Sequence, residues 1–201
     1  MMEWTAFEDQ ARAEGYTCIC GIDEAGRGPL AGPVYAAAVV LRPGQVIEGV
    51  NDSKKLSEKK REALFDTICS QCAAYGIGSA TEKEIDEINI LNATYLAMQR
   101  AVAALPVQPD CALVDGNRAP DLPLEVRTII KGDAQSASIA AASILAKVSR
   151  DRYMLQMAEK YPQYAFEKHK GYGTKLHYER LDQHGISPIH RLSFLKKWMN
   201  R

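Results

Sequence analysis

The sequence predicts an α/β fold: a mixed five-stranded sheet flanked by helices, with a small helical part at the C-terminal end. Short apolar runs alternate along the chain with segments whose apolar residues recur at helical spacing, a pattern typical of α/β proteins. The 201 residues, 46% of them hydrophobic, are enough for one substantial core. No internal repeat or low-complexity linker divides the chain.

Two apolar runs near the start predict neighbouring strands over residues 18–23 and 34–41. The second run is apolar at almost every position, as expected for a central strand covered on both faces. After a polar loop, Ser57 is predicted to cap a helix that runs to about Ala74 and is stopped by Gly76. A third, short strand is predicted over residues 75–80.

Thr81 and Glu84 form a capping-box pattern that opens a helical region predicted to reach Leu105. Two further apolar runs predict buried strands, one with Asp115 at its carboxyl end and the next ending at Asp133. The element order that this pattern predicts is β-β-α-β-α-β-α-β-α. It corresponds to an α/β sandwich with a mixed sheet.

The C-terminal part is predicted to be mainly helical. A long helix is expected from Ser136 to a stop before Pro162, and a second one over residues 174–184. We expect residues 1–160 to form the core, with residues 161–201 packing on it as part of effectively one domain.

Composition excludes several classes of protein. No stretch approaches the ~18–20 consecutive apolar residues of a membrane span, and residues 1–16 lack the features of a signal peptide. A cytoplasmic location is expected. The five cysteines, an odd number in core-like segments, argue against a disulfide framework. Cys69 and Cys72 form a C-x-x-C at helical spacing, which favours buried helix residues over a redox or zinc site.

Charge is divided unevenly along a chain whose formal net charge is zero. Residues 146–201 contain 12 Lys and Arg against 5 Asp and Glu, whereas residues 1–145 contain 13 against 20. Such a division is typical of a basic binding face beside an acidic centre, although a solvated asymmetry without function would give the same count.

Acidic residues stand beside glycines at three predicted strand ends: Asp23 with Glu24, then Asp115, then Asp133. Sites in open α/β sheets gather at such ends, where converging carboxylates repel one another unless cations lie between them. Oxygen ligands without His or Cys suit Mg²⁺ or Mn²⁺, and two such ions about 3.5–4 Å apart can clamp a phosphodiester. The alternative is that Asp115 and Asp133 are ordinary turn or cap residues.

The glycines after Glu24 do not form a dinucleotide or P-loop motif. A Rossmann turn opens a helix, but here Pro29 and Pro33 lead into another apolar run, and no Gly-Lys-Ser/Thr is present. We interpret the glycines as positions where backbone groups approach a polymer closely.

The chain resembles bacterial ribonuclease HII over nearly its whole length. The matching segments are "GIDEAGRGPLAGPV", "NDSKKLSEKKRE", "LVDG", "KGD", "SIAAASILAKVSRD", "HKGYGT" and "SPIHRLSF". The resemblance implies a ribonuclease H-like fold and endonucleolytic hydrolysis of the RNA strand of RNA–DNA hybrids. It also implies nicking 5′ to ribonucleotides embedded in duplex DNA, leaving 3′-hydroxyl and 5′-phosphate ends. The implied roles are ribonucleotide removal from DNA and RNA primer degradation, by a monomer.

The resemblance also implies the site residues. Asp23, Glu24, Asp115 and Asp133 match the family's metal-binding carboxylates, for two Mn²⁺ or Mg²⁺ ions. Gly26, Arg27 and Gly28 match the segment that reads the 2′-hydroxyl at the RNA–DNA junction, the group that distinguishes RNA from DNA. Tyr172 corresponds to the tyrosine that packs on the following deoxyribose.

Other polar residues have less specific interpretations. Ser143 and Lys147, which share one helix face, and Lys54 are candidates for holding phosphates. Lys59, Lys60 and Arg61 are expected on a solvated helix face. His169, His177, His184 and His190 adjoin no strand-end carboxylate in the sequence, and we expect His190 to be structural.

Two alternatives remain open at this point. One is a catalytically silent nucleic-acid-binding module that uses the same basic face. The other is the related family ribonuclease HIII, which has a different glycine segment, whereas in this chain Gly26-Arg27-Gly28 follows the early Asp-Glu pair after one residue.

Overall fold

The computed structural model describes residues 4–51, 53 and 56–200, and its centre is a five-stranded sheet. The strands are β1 (Ile19–Ala25), β2 (Val34–Val40), β3 (Ala74–Ala80), β4 (Cys111–Asp115) and β5 (Glu125–Ile129), in the order β3-β2-β1-β4-β5. β2 is antiparallel to both β1 and β3, whereas β4 is parallel to both β1 and β5. The predicted mixed sheet is therefore confirmed.

Helices cover both faces of this sheet. They are α1 (Ala6–Ala13), α2 (Glu58–Gln71), α3 (Glu82–Ala103), α4 (Ala137–Lys160), α5 (Phe166–His169), α6 (Lys175–His184) and α7 (Leu192–Met199). Ala36 and Ala38 of β2 pack with α3, and Ala37 and Val39 pack on the other face with α2 and α4. β2 is thus buried on both faces, because its residues alternate between two helical layers.

Gly21 allows α4 to lie very close to β1. A Cβ atom at Gly21 would lie 2.3 Å from the backbone nitrogen of Ile139 and 2.4 Å from Oγ of Ser138. Any larger residue would push the first turn of α4 away from the strand that carries Asp23.

The helix starts predicted from capping residues are confirmed. Ser57 accepts a hydrogen bond from the Lys60 amide, and Thr81 and Glu84 form a complete capping box. Ser136 caps α4 by accepting from the Ile139 amide. These caps were predictable because each satisfies amides that the first helical turn leaves unpaired.

The predicted end of α2 is wrong by about one turn. The helix ends at Gln71, not near Ala74, and Gly76 lies inside β3 instead of stopping the helix. The Ala73 amide donates to the Val40 carbonyl (2.9 Å), and Ala74 already pairs with Val40 in the sheet. Sheet pairing, which the local sequence does not reveal, overrides helical propensity here.

The region after β4 also differs from the prediction. No helix lies between β4 and β5, which are joined by residues 116–124. β5 ends at Ile129, and Asp133 lies beyond it in a single 3-10 turn, Gly132–Ala134, that follows Lys131 in the left-handed region (φ 57°).

The helical region predicted after Thr81 is present as α3, with a kink inside it. Asn89 has a φ of 67°, and its side chain accepts hydrogen bonds from the amides of Leu91 and Asn92. Asn89 therefore caps the second half of α3.

The C-terminal elements pack against residues 30–31 and the end of α4. Ala31, Met154, Tyr164, Phe166 and Ile189 share one buried cluster. Within the ranges given above, no helix is long and apolar enough to cross a membrane.

Candidate active site

The strand-end carboxylates lie along one edge of the sheet. Asp23 and Glu24 are near the carboxyl end of β1, and Asp115 is the last residue of the parallel strand β4. Asp133 lies in the turn after β5, the next strand of the sheet. Parallel pairing of β1, β4 and β5 therefore places the four acids at the same edge, although Asp133 arrives there by a turn instead of a strand.

Burial and mutual repulsion dominate the electrostatics of this edge. Burial raises the pKa of Asp23 well above its usual value, and the charges of Glu24, Asp115 and Asp133 raise it further. Burial also raises the pKa of Glu24, although Arg27 opposes that change. Such clustered carboxylates form a site whose charge favours a divalent cation.

Protein donors bind these carboxylates. The Glu24 amide donates to Oδ1 of Asp23 (2.7 Å), the Gly132 amide to Oδ1 of Asp115 (2.6 Å), and Nη1 of Arg27 to Oε1 of Glu24 (3.3 Å). In the described part of the chain, no three His, Cys, Asp or Glu side chains are already arranged to hold a metal ion. The donor chemistry fits Mg²⁺ or Mn²⁺, because a carboxylate that accepts one hydrogen bond keeps further oxygen lone pairs for a cation.

A cleft opens beside the acids, and we call it the carboxylate cleft. It is lined by Asp23, Glu24, Ala25, Gly26, Arg27, Gly28, Ser53, Arg61, Asp115, Ser143, Lys147 and Tyr172. Three of the four acids, the glycine segment, the tyrosine and the candidate phosphate-binding residues Ser143 and Lys147 thus face one space. Asp133 is not among the lining residues, although its charge acts on Asp23.

The glycine segment has a backbone conformation that favours glycine, and it is closely packed. Gly26 has a φ of 98°, and a Cβ there would lie 2.1 Å from Nε of the buried Arg150. A side chain is thus excluded at Gly26 both by conformation and by space. The guanidinium carbon of Arg150 also lies 5.7 Å from the ring centre of Tyr172, so it contacts both features.

Ser143 and Lys147 lie on one face of α4, as predicted. Oγ of Ser143 is 2.6 Å from Oγ of Ser53, and Nζ of Lys147 donates to Oδ1 of Asp151 (2.6 Å). Lys54, the third candidate for phosphate binding, lies outside the described residues.

Arg61 is a cleft residue that sequence reasoning missed. The prediction of a solvated face is wrong for it, because its side chain is only 14% exposed and donates to the carbonyls of Ser53 and Leu56. Its guanidinium also lies 4.0 Å from the Asp151 carboxylate. The available signal was spacing: Arg61 is three, four and seven residues before Leu64, Phe65 and Ile68, the apolar stripe of α2.

Three of the four histidines form a buried cluster away from the acids. The rings of His169 and His177 stack with centroids 4.3 Å apart, and Nε2 of His177 is 2.9 Å from Nε2 of His190. Burial lowers the pKa of His177 to about 4 and that of His190 to about 3, so both rings are neutral at pH 7. The fourth, His184, is exposed.

Comparison with known proteins agrees with this architecture. The sequence model of the family described as ribonuclease HII matches residues 20–197. The ribonuclease HII of Caldicellulosiruptor bescii is 59% identical over 189 residues, which are 94% of this chain and 92% of that protein. The ribonuclease HII of a Marinomonas species is 62% identical over 177 residues, which are 88% of this chain and 89% of that protein.

A solved structure is similar over much of the chain. The crystal structure of the ribonuclease H2 from Pyrococcus horikoshii superposes with a TM-score of 0.73 at 30% sequence identity. The match covers 88% of this chain and 93% of that one.

Proposed function

The chain belongs to the ribonuclease HII family, and on that premise we propose that it hydrolyses the RNA strand of RNA–DNA hybrids. We further propose that it nicks duplex DNA 5′ to an embedded ribonucleotide, leaving a 3′-hydroxyl and a 5′-phosphate. The reaction is metal-dependent endonucleolytic hydrolysis of a phosphodiester. The expected roles are removal of ribonucleotides from DNA and degradation of RNA primers.

One observation supports this function above the others: the carboxylate cleft brings Asp23, Glu24 and Asp115 together with the Gly26–Gly28 segment. A cutting centre and a sensor of sugar identity need to lie within a nucleotide or two of each other. A module that only bound nucleic acid would gain nothing from buried acids facing phosphates, because they repel the backbone.

Asp23, Glu24, Asp115 and Asp133 would hold the divalent metal. When bound between these carboxylates, Mg²⁺ or Mn²⁺ supplies activation of water and stabilisation of the leaving oxygen. The protein's own contribution is rigid placement, because Asp23 and Glu24 belong to a buried strand paired on both sides. The backbone around the acids is thereby fixed before substrate arrives.

Sugar recognition is assigned to the backbone of Gly26, Arg27 and Gly28 and to Tyr172. Backbone donors and acceptors can bind a 2′-hydroxyl, which is itself both donor and acceptor, without reading base sequence. Tyr172 is 43% exposed and its ring lies beside this segment, with its Cε1 atom 3.9 Å from an ideal Cβ on Gly28. A flat apolar ring favours a sugar without a 2′-hydroxyl at the next position.

We assign the binding of the substrate backbone to Ser143 and to the positive charges of Lys147 and Arg61, which also line the carboxylate cleft. Lys54 is proposed alongside them from the sequence. Phosphate contacts of this kind fix position without reading sequence, as a ribonuclease acting at any embedded ribonucleotide requires. We assign residues 161–201 to substrate binding through Tyr172, in a protein that acts as a cytoplasmic monomer.

Three duplexes test the proposal: one with a single embedded ribonucleotide, one with a continuous RNA strand, and one of DNA alone. With Mn²⁺ or Mg²⁺ we expect cleavage of the first two and none of the third. Binding of the first duplex without cleavage by the metal-loaded protein would favour the silent binding module instead.

A further inference from the structure

His190 and Arg191 lie between the two features assigned to sugar recognition. The Arg191 amide donates to the Leu30 carbonyl (2.8 Å), the Gly32 amide donates to the Ile189 carbonyl (2.9 Å), and Ala31 and His190 form an antiparallel bridge. Neighbouring side chains of an extended segment point to opposite sides. His190 therefore faces the loop of Tyr172, and Arg191 faces the Gly26–Gly28 segment.

The buried side chain of Arg191 binds two carbonyls of the Gly26–Gly28 segment and one carbonyl of the loop that follows it. Its Nη2 atom donates to Gly26 (2.6 Å), Nη1 to Arg27 (3.0 Å) and Nε to Gly32 (2.8 Å). In a trans peptide the carbonyl and the next amide point in opposite directions. Fixing the carbonyls of Gly26 and Arg27 towards Arg191 therefore turns the amides of Arg27 and Gly28 away from it.

His190 holds the other feature through a chain of hydrogen bonds. The Ser187 amide donates to Nδ1 of His190 (2.9 Å), so the proton of the neutral ring is on Nε2 and is donated to Nε2 of His177 (2.9 Å). Nδ1 of His177 then carries its proton and donates it to the carbonyl of Tyr172 (2.9 Å). The backbone of Tyr172 is thus fixed by way of two buried rings.

The two loops also contact each other directly. The Leu30 amide donates to the Gly171 carbonyl (2.8 Å), and a Cβ on Gly171 would lie 2.5 Å from the Ala31 carbonyl oxygen. The loops cannot move independently without breaking this contact.

We propose that His190 and Arg191 are positioning residues that set Gly26–Gly28 and Tyr172 in fixed relation, and so determine the preference for a ribonucleotide followed by a deoxyribonucleotide. This inference rests on the proposed function. Burying the guanidinium completely carries a large desolvation cost, which its hydrogen bonds to three carbonyls offset. The planar guanidinium of Arg191 can donate to three carbonyls at once in a fixed geometry, which explains why an arginine occupies this position.

Arg191→Lys and His190→Gln test this role, with Asp86→Asn as the matched control. The Asp86 carboxylate accepts from the amides of Leu192 and Ser193, so the control loosens the same C-terminal segment without touching either loop. The measured quantity is the ratio of kcat/KM on a duplex whose ribonucleotide is followed by deoxyribonucleotide to that on a continuous hybrid. Hydrogen exchange of residues 26–33 and 170–173 is followed in parallel.

We expect Arg191→Lys to lower that ratio about tenfold and to speed exchange in residues 26–33, since charged hydrogen bonds of this kind are lost. His190→Gln should act mainly on residues 170–173, and Asp86→Asn should keep the ratio within about twofold of wild type. If Arg191→Lys does not fold, the kcat/KM ratio and the hydrogen exchange of His190→Gln test the proposal on their own.

Three results would overturn the inference: a ratio within twofold of wild type in the folded variants, an equal change in Asp86→Asn, or unchanged exchange in both loops. Cleavage of neither duplex by the wild-type protein would instead sink the proposed function, and the inference with it.

Discussion

The Asp115 carboxylate accepts a 2.6 Å hydrogen bond from the backbone amide of Gly132. This contact ties the end of β4 to the turn that carries Asp133, so the last two acids of the site are set relative to each other by the backbone. The sheet fixes Asp23 and Glu24 in the same frame, because β1 pairs directly with β4.

Removing one acid should stabilise the metal-free protein. Because the folded-state pKa of Asp23 is raised, the folded state binds this proton more tightly than the unfolded state, and stability falls as pH rises above the ordinary value of 3.8. Asp23→Asn does not carry this penalty. In EDTA at pH 7.5 we expect urea denaturation to give a free energy of unfolding about 1–3 kcal/mol higher than wild type.

The exposed residue Asp66 on α2 supplies the control. Asp66→Asn should leave unfolding unchanged within about 0.5 kcal/mol, and added Mg²⁺ should stabilise wild type more than Asp23→Asn. If the metal-free Asp23→Asn protein were less stable than wild type, repulsion among the buried carboxylates would not be what limits the stability of the folded protein.

The buried histidines should make the protein sensitive to mild acid. Burial lowers the pKa of both His177 and His190 in the folded state, so the unfolded state binds more protons below the ordinary value of 6.5. Stability is therefore complete above pH 6.5 and is lost as pH falls towards about 4. At pH 5 each histidine should cost up to about 2 kcal/mol.

Thermal unfolding from pH 7.5 to pH 5 measures this effect. The double variant His177→Gln with His190→Gln should lose stability less steeply than wild type, whereas His184→Gln, at an exposed position, should follow the wild-type curve. His169, whose pKa burial also lowers, accounts for acid sensitivity that remains in the double variant. Parallel curves for the double variant and wild type would refute the assignment.

Arg61 should contribute to binding without contributing to sugar discrimination. Arg61→Gln removes a positive charge from the carboxylate cleft, so KM should rise several-fold on every cleaved duplex, and the slope of log affinity against log salt should shrink by about one. Lys60→Gln removes the same charge from an exposed position one residue away and should change the slope less. Equal effects of the two variants would mean that only general charge matters.

Gly21→Ala should be strongly destabilising. The added Cβ meets the backbone of Ser138 and Ile139, which cannot move without displacing α4. We expect a loss of about 2–4 kcal/mol in the free energy of unfolding, in the range of severe overpacking. Gly44→Ala is a suitable control. Gly44 has a φ of 67° that disfavours alanine, but no atom lies within 4 Å of the added Cβ, so only the backbone conformation is penalised. A loss no larger than the control's would show that α4 can shift.

Much of the fold was predictable from the sequence because its signals are local. The strand cores and the caps at Ser57, Thr81 and Ser136 depend on neighbouring residues. The end of α2 and the turn before Asp133 were not predictable in this way, because they depend on pairing with Val40 and on the left-handed conformation of Lys131.

The residues of the candidate site also differ in whether a local sequence signal indicates them. Its acids stand out in the sequence because they recur beside glycines at three predicted strand ends, and the resemblance supplied the glycine segment and Tyr172. Arg61 was missed because a charged residue in a run of charges resembles a solvated face. Arg191 and His190 hold residues about 160 and 20 positions away through hydrogen bonds that no spacing pattern records.

The proposed metal-dependent nicking is tested most directly by incubating a duplex that contains one embedded ribonucleotide with wild type and with Asp23→Asn. Each reaction is run with Mn²⁺ and with EDTA. Mapping the products on a denaturing gel should place the wild-type nick on the 5′ side of the ribonucleotide, with a 3′-hydroxyl end, only when the metal is present. Asp23→Asn should remain folded and bind the duplex but not cut it. Near wild-type cleavage by Asp23→Asn, or cleavage by the wild type in EDTA, would rule out metal-dependent hydrolysis at these carboxylates.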